Sequence, residues 1–585
     1  MQKRTLQITF HSDWQIGSGA GIPGSVDRQV VRDVDGLPYV PAKTLTGILR
    51  DAAEWLVENG SMDQHHQETN QQHQEILFGR QIPDHGGCKK KTTQKAHLSV
   101  RPARISEADR RKTLNTPQDK NALFIVQPHV KIEPNTGRAK DDHLFSIEQV
   151  RSTVVLEADV FLDSTGDDKE LREFLDKTLK AVRRIGGKRR RGAGRCTLAW
   201  KSGEDWKAID NESFNFSVED SEPTTGWFRI PLTLEALEML QIHKETLGNT
   251  VETRDFIPGY LILPYIAKVS RSDLRNAIAK GSLQISDFLP EIDESSVLPI
   301  PQVFFQPKGD ENTIINRLIT PPSDKTQQLK GLRSGYFYIA KQDETSSTIR
   351  ISTESALTLR MHNTVQDKTQ RPDEDVGGVF SYGAIQRGTK FQGEIRCTAE
   401  VYEILKNKSF SEEFRLGTSK KDDYGRVRIS GGKAEVFQYS DIATKDAKTL
   451  VVYLESDVLV RDRFLSYSAN PNDLKTELEK LLIQHECQAN LVFRDKHLIN
   501  AIGRGRRHEG WQTKWNLPKP SLPAIQAGSV YVFESDKEID KKILKKIAIA
   551  GVGQRRAEGF GRVQFNPPWL FSAEITVSQQ KEDDS

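Results

Sequence analysis

Three short stretches of this chain combine glycine with basic side chains in a way that suits one kind of ligand. The first reads Ile185-Gly186-Gly187-Lys188-Arg189-Arg190-Arg191-Gly192-Ala193-Gly194-Arg195-Cys196. The second runs from Phe414 through Gly417, Lys420, Lys421, Tyr424 and Gly425 to Arg426, and the third from Gly551 through Gly553, Arg555, Arg556, Gly559 and Gly561 to Arg562. Glycine lets a backbone bring its N–H groups close to a phosphodiester, and neighbouring Lys and Arg side chains supply charge. A small-molecule enzyme has no use for three such loops. A polyanion tracked across several domains accounts for them together, with affinity that is largely sequence-independent and salt-sensitive.

The elements that would position these loops are legible as patterns. Thr5 to Phe10 alternates apolar and polar as a half-buried strand does, and Gly17, Gly19, Gly21 and Gly24 then force a loop. The spacing predicts a helix over 44–57, with Leu45, Ile48, Leu49 and Ala52 inward and Lys43, Gly47 and Arg50 on one exposed stripe able to meet an anion. Residues 61–74, rich in Gln and His, read as a solvent-exposed excursion. His65, His66, His73, His85 and Cys88 fit no standard zinc spacing. Residues 154–162 alternate as a strand, and 169–184 read as a helix with Leu171, Phe174, Leu175, Leu179 and Val182 inward. Strand, helix, strand, then strand, helix and glycine loop before a last strand is the β-α-β-β-α-β order of a ferredoxin-like fold.

With 585 residues the chain exceeds what one core supports, so two to four domains are expected. Lys and Arg number 84 against 81 acidic residues, a formal net charge of +3, so charge clustering rather than global charge must identify a partner. Four widely spaced cysteines form no C-x-x-C pair, which points to a reducing compartment. No signal-peptide or membrane-span pattern is present, and a cytoplasmic location is expected.

Residues 14–56 carry a longer signature: Val26-Asp27, Arg32-Asp33, Gly36-Leu37-Pro38-Tyr39-Val40-Pro41 and Thr44-Leu45-Thr46-Gly47-Ile48-Leu49-Arg50. Leu77-Phe78-Gly79 and the stretch Val130 to Leu144, with Lys131, Thr136-Gly137 and Arg138, follow in order. This series resembles the RAMP superfamily of CRISPR-associated proteins, specifically the backbone subunits of type III effector complexes, and the whole chain looks type III-D-like. The resemblance implies α+β architecture with tandem ferredoxin-like (RRM-like) domains. It implies a backbone-type domain over 1–218, a linker over 219–226, and a region over 227–570 similar to the subunit that caps the 5′ handle of the guide RNA. That region divides into possible halves at 227–435 and 436–570, followed by a flexible acidic tail over 571–585.

The resemblance further implies crRNA, including its 5′ handle, and target RNA as ligands. It implies other RAMP backbone subunits, a large polymerase/cyclase-type subunit and a small subunit as partners, with no membrane. Residues 130–144 would form a protruding thumb hairpin. Asp27 would support cleavage of target RNA by its own 2′-hydroxyl, through proton handling or with a divalent metal ion such as Mg2+; no organic cofactor is implied. Asp33 and Asp35 read as structural, since Asp35-Gly36 is a turn.

RNA contacts are expected at Lys43, Arg50, Lys131, Arg138, Lys188, Arg189, Arg190, Arg191 and Arg195 in the first domain. Further contacts are expected at His362, Asn363, Lys420, Lys421, Arg426, Arg555, Arg556, Arg562 and Trp511, where Trp511 would stack a base. His362 could titrate near neutral pH, but no partner is identifiable for it and a contact or structural role is expected. Three readings stay open: a target-cleaving subunit; a non-catalytic guide-RNA clamp in the same complex, with Asp27 pairing with Arg28 or Arg32 or capping a turn; and a guide-processing endonuclease using a histidine among His11, His129, His143 and His362.

Overall fold

The computed structural model describes residues 2–577 except 20, 23–24, 34, 60–63, 80–95, 116, 134, 164–168, 209–212, 215, 217–225, 269–270, 311–312, 321–327, 343–346, 353–355, 365–377, 407, 420–423, 432, 438, 440–441, 444–447, 495–500 and 513–516. Within it the chain repeats one mixed α+β topology three times. Unit one has β1 (Gln2–Phe10), α1 (Ala42–Asn59), α2 (Gln64–Phe78), β2 (Leu98–Val100), a hairpin of β3 (Phe124–Ile132) and β4 (Ala139–Val150), then β5 (Val155–Leu162), α3 (Lys169–Ala181) and β6 (Cys196–Trp200). Its antiparallel sheet runs β2-β5-β1-β6. That is the ferredoxin-like order, with the first strand in the middle beside the third and fourth.

Unit two has β7 (Trp227–Ala236), β8 (Thr250–Thr253), α4 (Gly259–Ala267), α5 (Arg271–Lys280), β9 (Leu283–Ile285), a hairpin of β10 (Leu357–Thr364) and β11 (Gly378–Ile385), β12 (Lys390–Thr398), α6 (Ala399–Lys406) and β13 (Arg426–Gly431). Its sheet runs β9-β12-β7-β13. Unit three has β14 (Thr449–Leu454), α7 (Pro471–Gln484), β15 (Leu491–Phe493), a hairpin of β16 (Gly505–His508) and β17 (Leu522–Ile525), β18 (Val530–Ser535), α8 (Lys541–Ala550) and β19 (Val563–Phe565), in the order β15-β18-β14-β19.

Alternation explains the central strands. Leu6, Ile8 and Phe10 of β1, and Phe228, Ile230, Leu232 and Leu234 of β7, turn to their helices and are buried. β14 instead is apolar at nearly every position, because both its faces are covered. Leu450, Val452 and Leu454 meet α7 and α8, while Val451 and Tyr453 meet Phe304, Phe337 and Ile351 from the 298–352 insertion of unit two.

The solvent-exposed excursion expected over 61–74 is helical: residues 64–78 form a helix whose 67–74 stretch carries no buried residue. Its last turn buries Leu77 and Phe78 in the first core, and His73 packs 5.8 Å from the Phe174 ring of α3. Anchorage at one end suffices, because Gln and Glu are good helix formers without an apolar stripe. The expected flexible tail over 571–585 is corrected in its first part, where the helix Trp569–Ser572 ends and a strand, Ala573–Val577, pairs in parallel with Ser347–Ser352. Residues 219–225 of the expected linker over 219–226, and residues 578–585, lie outside the described residues. Among the described residues no helix is long and apolar enough to cross a membrane.

Each unit ends with a glycine loop crossing the segment that leaves its first strand. Gly187, Thr418 and Gln554 donate their backbone N–H to the carbonyls of Gln15, Gln241 and Leu459 at 2.7, 2.9 and 2.8 Å. Gly194, Gly425 and Gly561 donate to Asp13, Met239 and Asp457 at 2.8, 2.9 and 2.9 Å. A Cβ on Gly186, Gly417 or Gly553 would fall inside 3.0 Å of the crossed carbonyl oxygen, and all three have positive φ, 96°, 82° and 81°. Gly553→Ala should therefore lower stability by about 1–3 kcal/mol, whereas Gly226→Ala, with open space around it, should change little; thermal melting of the two variants checks this.

Candidate nucleic-acid interface and carboxylate site

Asp27 sits at the exposed base of the first hairpin. The 25–30 segment runs beside β4 as an extra strand: Arg28 bridges Ile147 in parallel, and Trp14 bridges Val150 from the other direction. Asp27 Oδ2 accepts from the Ser146 backbone N–H at 2.7 Å and lies 3.2 Å from its hydroxyl, and no partner for Oδ1 is found among the described residues. Neither arginine weighed as its partner takes it. Arg32 pairs with buried Glu148 and lies 3.8 Å from the Phe124 ring, and Arg28 lies 5.8 Å from the Phe145 ring. Asp33, by contrast, accepts from Leu37 N and Arg110 and caps the Asp35-Gly36 turn.

Opposite residues of an antiparallel pair share a face. One face of the hairpin therefore carries Asp27, Ser146, Val126, Val130 and Leu144, the last three exposed. The other carries His129 stacked on Phe145 at 5.6 Å, with the Lys188 ammonium 5.2 Å from the same ring. The first glycine loop thus braces the hairpin base through Lys188, whose pKa is lowered by burial and by Arg191 and Arg28. Burial, Lys188 and Arg191 likewise lower that of His129.

The remaining expected contacts divide by environment. Arg191 and Arg195 are exposed on the first loop, Arg189 lies in its 3-10 turn, and Lys131 and Arg138 are exposed near the hairpin tip. Lys43 and Arg50 are exposed on α1, Lys43 5.9 Å from the Tyr382 ring of unit two and Arg50 3.4 Å from Phe78 O. Arg426 is paired with Glu413 and Arg555 with Glu558. Lys420 and Lys421, with the side chains of Arg190, Asn363 and Trp511, lie outside the described residues. Of the other histidines, His11 bonds Thr197 at 2.7 Å and His143 is half-buried on β4.

Three placements differ from expectation. Arg562 is buried between units two and three, where it pairs with Glu394 and Glu455 while Arg396 and Arg229 also reach Glu394. Burial opposes ionisation of Glu394, but these three guanidiniums hold its carboxyl well below the ordinary range. Arg556 turns back on the end of α8, donating to Ala550 O at 2.9 Å and to Lys280 O of unit two at 3.4 Å. His362 does not titrate near neutral pH: burial, with Lys43 and Arg360, brings its pKa down to about 4. Its Nε2 lies 3.0 Å from the Tyr424 hydroxyl and its ring stacks on Phe380 at 5.3 Å.

A family model described as the RAMP superfamily matches residues 7–197, the span of unit one. No curated protein matches the chain. Solved structures similar to it include three from CRISPR complexes. One is the apo state of the type III-B Cmr-beta complex, 11% identical, covering 34% of this chain and 98% of that chain at a TM-score of 0.26. Another is the same kind of complex bound to cognate target RNA, 12% identical, covering 34% and 96% at 0.25. The third is a type IV-B CRISPR complex, 17% identical, covering 36% and 95% at 0.25.

Two outcomes check the placements. Arg562→Ala should cost about 3 kcal/mol of stability through the broken buried pair, read as a lowered urea midpoint. Because folded His362 resists protonation, its contribution is present above its unfolded value near 6.5 and is lost as pH falls toward about 4; His362→Phe should flatten the urea-midpoint curve across that window.

Proposed function

We propose that this chain is an RNA-binding subunit of a type III, III-D-like CRISPR effector complex, holding crRNA with its 5′ handle and target RNA, and that unit one cuts the target at Asp27. The observation that carries the cleavage reading is the Asp27 carboxylate itself. Ser146 fixes one oxygen and leaves the other directed from an exposed hairpin base, within the span that matches the RAMP model. Arg191 and Arg195, exposed on the first glycine loop, supply phosphate contacts, and base pairing to the guide supplies specificity.

In this reading the target supplies its own nucleophile. The 2′-oxygen bonds to the adjacent phosphorus, the P–O5′ bond breaks, the 2′ proton leaves, and the departing 5′-oxygen gains a proton. Asp27 Oδ1 orients the 2′-hydroxyl or accepts its proton. Among the described residues no three metal-ligating side chains converge. A single carboxylate fits a Mg2+ ion shared with RNA phosphate and water, which would stabilise charge on the phosphate. Other RAMP subunits, a polymerase/cyclase-type large subunit and a small subunit complete the proposed assembly.

A second reading, a non-catalytic guide clamp, is favoured by the same Ser146 contacts, since a carboxylate already bonded to a backbone N–H can serve as a structural tie. Target cleavage by the reconstituted guide complex separates the two. Asp27→Ala at matched RNA affinity should remove one product by about 10²-fold or more, and Ser146→Ala, which keeps the backbone donor, should lose less; survival of every product leaves the clamp. Arg191→Ala and Arg195→Ala should each reduce the slope of log K against log salt by roughly 0.7 for a single-stranded ligand, measured by titration at several ionic strengths.

A further inference from the structure

Unit two repeats the frame that holds Asp27, with one substitution at its centre. In unit one, Trp14 bridges Val150 antiparallel and Arg28 bridges Ile147 in parallel. In unit two, Leu240 bridges Ile385 antiparallel and Val251 pairs with Tyr382 in parallel. The partners stand three residues apart in both hairpins. Counting one further residue back places Ser381 where Ser146 stands, and the residue beside it, Thr250, where Asp27 stands. The Thr250 and Ser381 hydroxyls are 2.8 Å apart. The equivalence extends across the hairpins, since His362 lies opposite Phe380 as His129 lies opposite Phe145, each pair stacked.

The flanking surface is repeated as well. Val379 shares the face of Ser381, as Leu144 shares that of Ser146, and Leu359 and Val126 are exposed on the partner strands. The two frames are also contiguous: Arg360 donates to Arg32 O at 2.9 Å, and Met361 packs against Gly19 in the loop that leads to Asp27. Met361, which stands opposite Ser381, thus sets the second frame against the loop that leads to Asp27. Among the described residues that frame offers hydroxyl donors for a ribose or phosphate oxygen and puts Thr250 at the position from which Asp27 would handle a proton.

Resting on the RNA reading above, we propose that Thr250 and Ser381 form a second contact site for the same target RNA strand, which holds the backbone without cutting it because the carboxylate is missing. A photo-crosslinking residue placed at 250, and separately at 27, in the assembled guide complex tests this with a defined target RNA. The expected result is a crosslink from each position, at nucleotides separated by a fixed spacing. Thr250→Asp in an Asp27→Ala chain should then yield one product at the nucleotide crosslinked from 250, about tenfold or more above the Asp27→Ala background. A crosslink from 27 with none from 250 overturns the site, and a crosslink from 250 with no new product overturns the missing-carboxylate explanation. No crosslink from either position would overturn the RNA reading itself.

Discussion

The structure depends on one backbone contact made three times: a glycine passing over the carbonyl of the residue that leaves the first strand of its unit. With Gln15, Gln241 or Leu459 inside 3.0 Å of where a Cβ would sit, no other residue fits without displacing backbone. The contact ties the last loop of each unit to its first strand. It thereby sets where the following strand enters the sheet and which way the loop's side chains point. The Asp13 and Asp457 side chains add a second tie, their carboxylates accepting from Ser152 N at 3.0 Å and Ala527 N at 2.7 Å.

Loops of similar composition then meet different fates. The first stays open at Arg191 and Arg195, while Lys188 braces Phe145 and hence the hairpin that carries Ser146. The third is spent inside the chain. Arg556 covers carbonyls of units two and three, and Arg562 enters the Glu394 cluster, where removing one partner would leave buried charge uncompensated. The physical difference is neighbourhood rather than composition, since both loops are basic and glycine-rich. A basic cluster stays open to solvent only where no acidic wall from the next unit has been built against it.

Much of the fold is visible in local sequence pattern. Alternation marks β1 and β7, helical spacing marks α1 and α3 with Leu45, Leu49, Phe174 and Leu175 inward, and the equal separation of Gly186 from Gly194, Gly417 from Gly425 and Gly553 from Gly561 marks the loops. These are short-range consequences of backbone geometry and apolar burial, so residue order alone carries them. The helix over 64–78 escapes the same reading because its stability comes from a terminal anchor, not from a stripe.

What residue order could not carry was decided by pairing between distant segments. The sequence names Asp27 by its neighbours, but its tie to Ser146, the burial of Arg562, the neutral state of His362 and the correspondence of Thr250 with Asp27 each require two stretches far apart in the chain to be brought into register. Register is fixed by which faces are buried across a whole sheet, and a single residue of slip would move every side chain to the opposite face. The sequence by itself determines three strand-helix-loop units and the basic character of their glycine loops. Only the tertiary structure decides which loop remains open and which hairpin base holds a carboxylate, because those outcomes depend on what each surface is packed against.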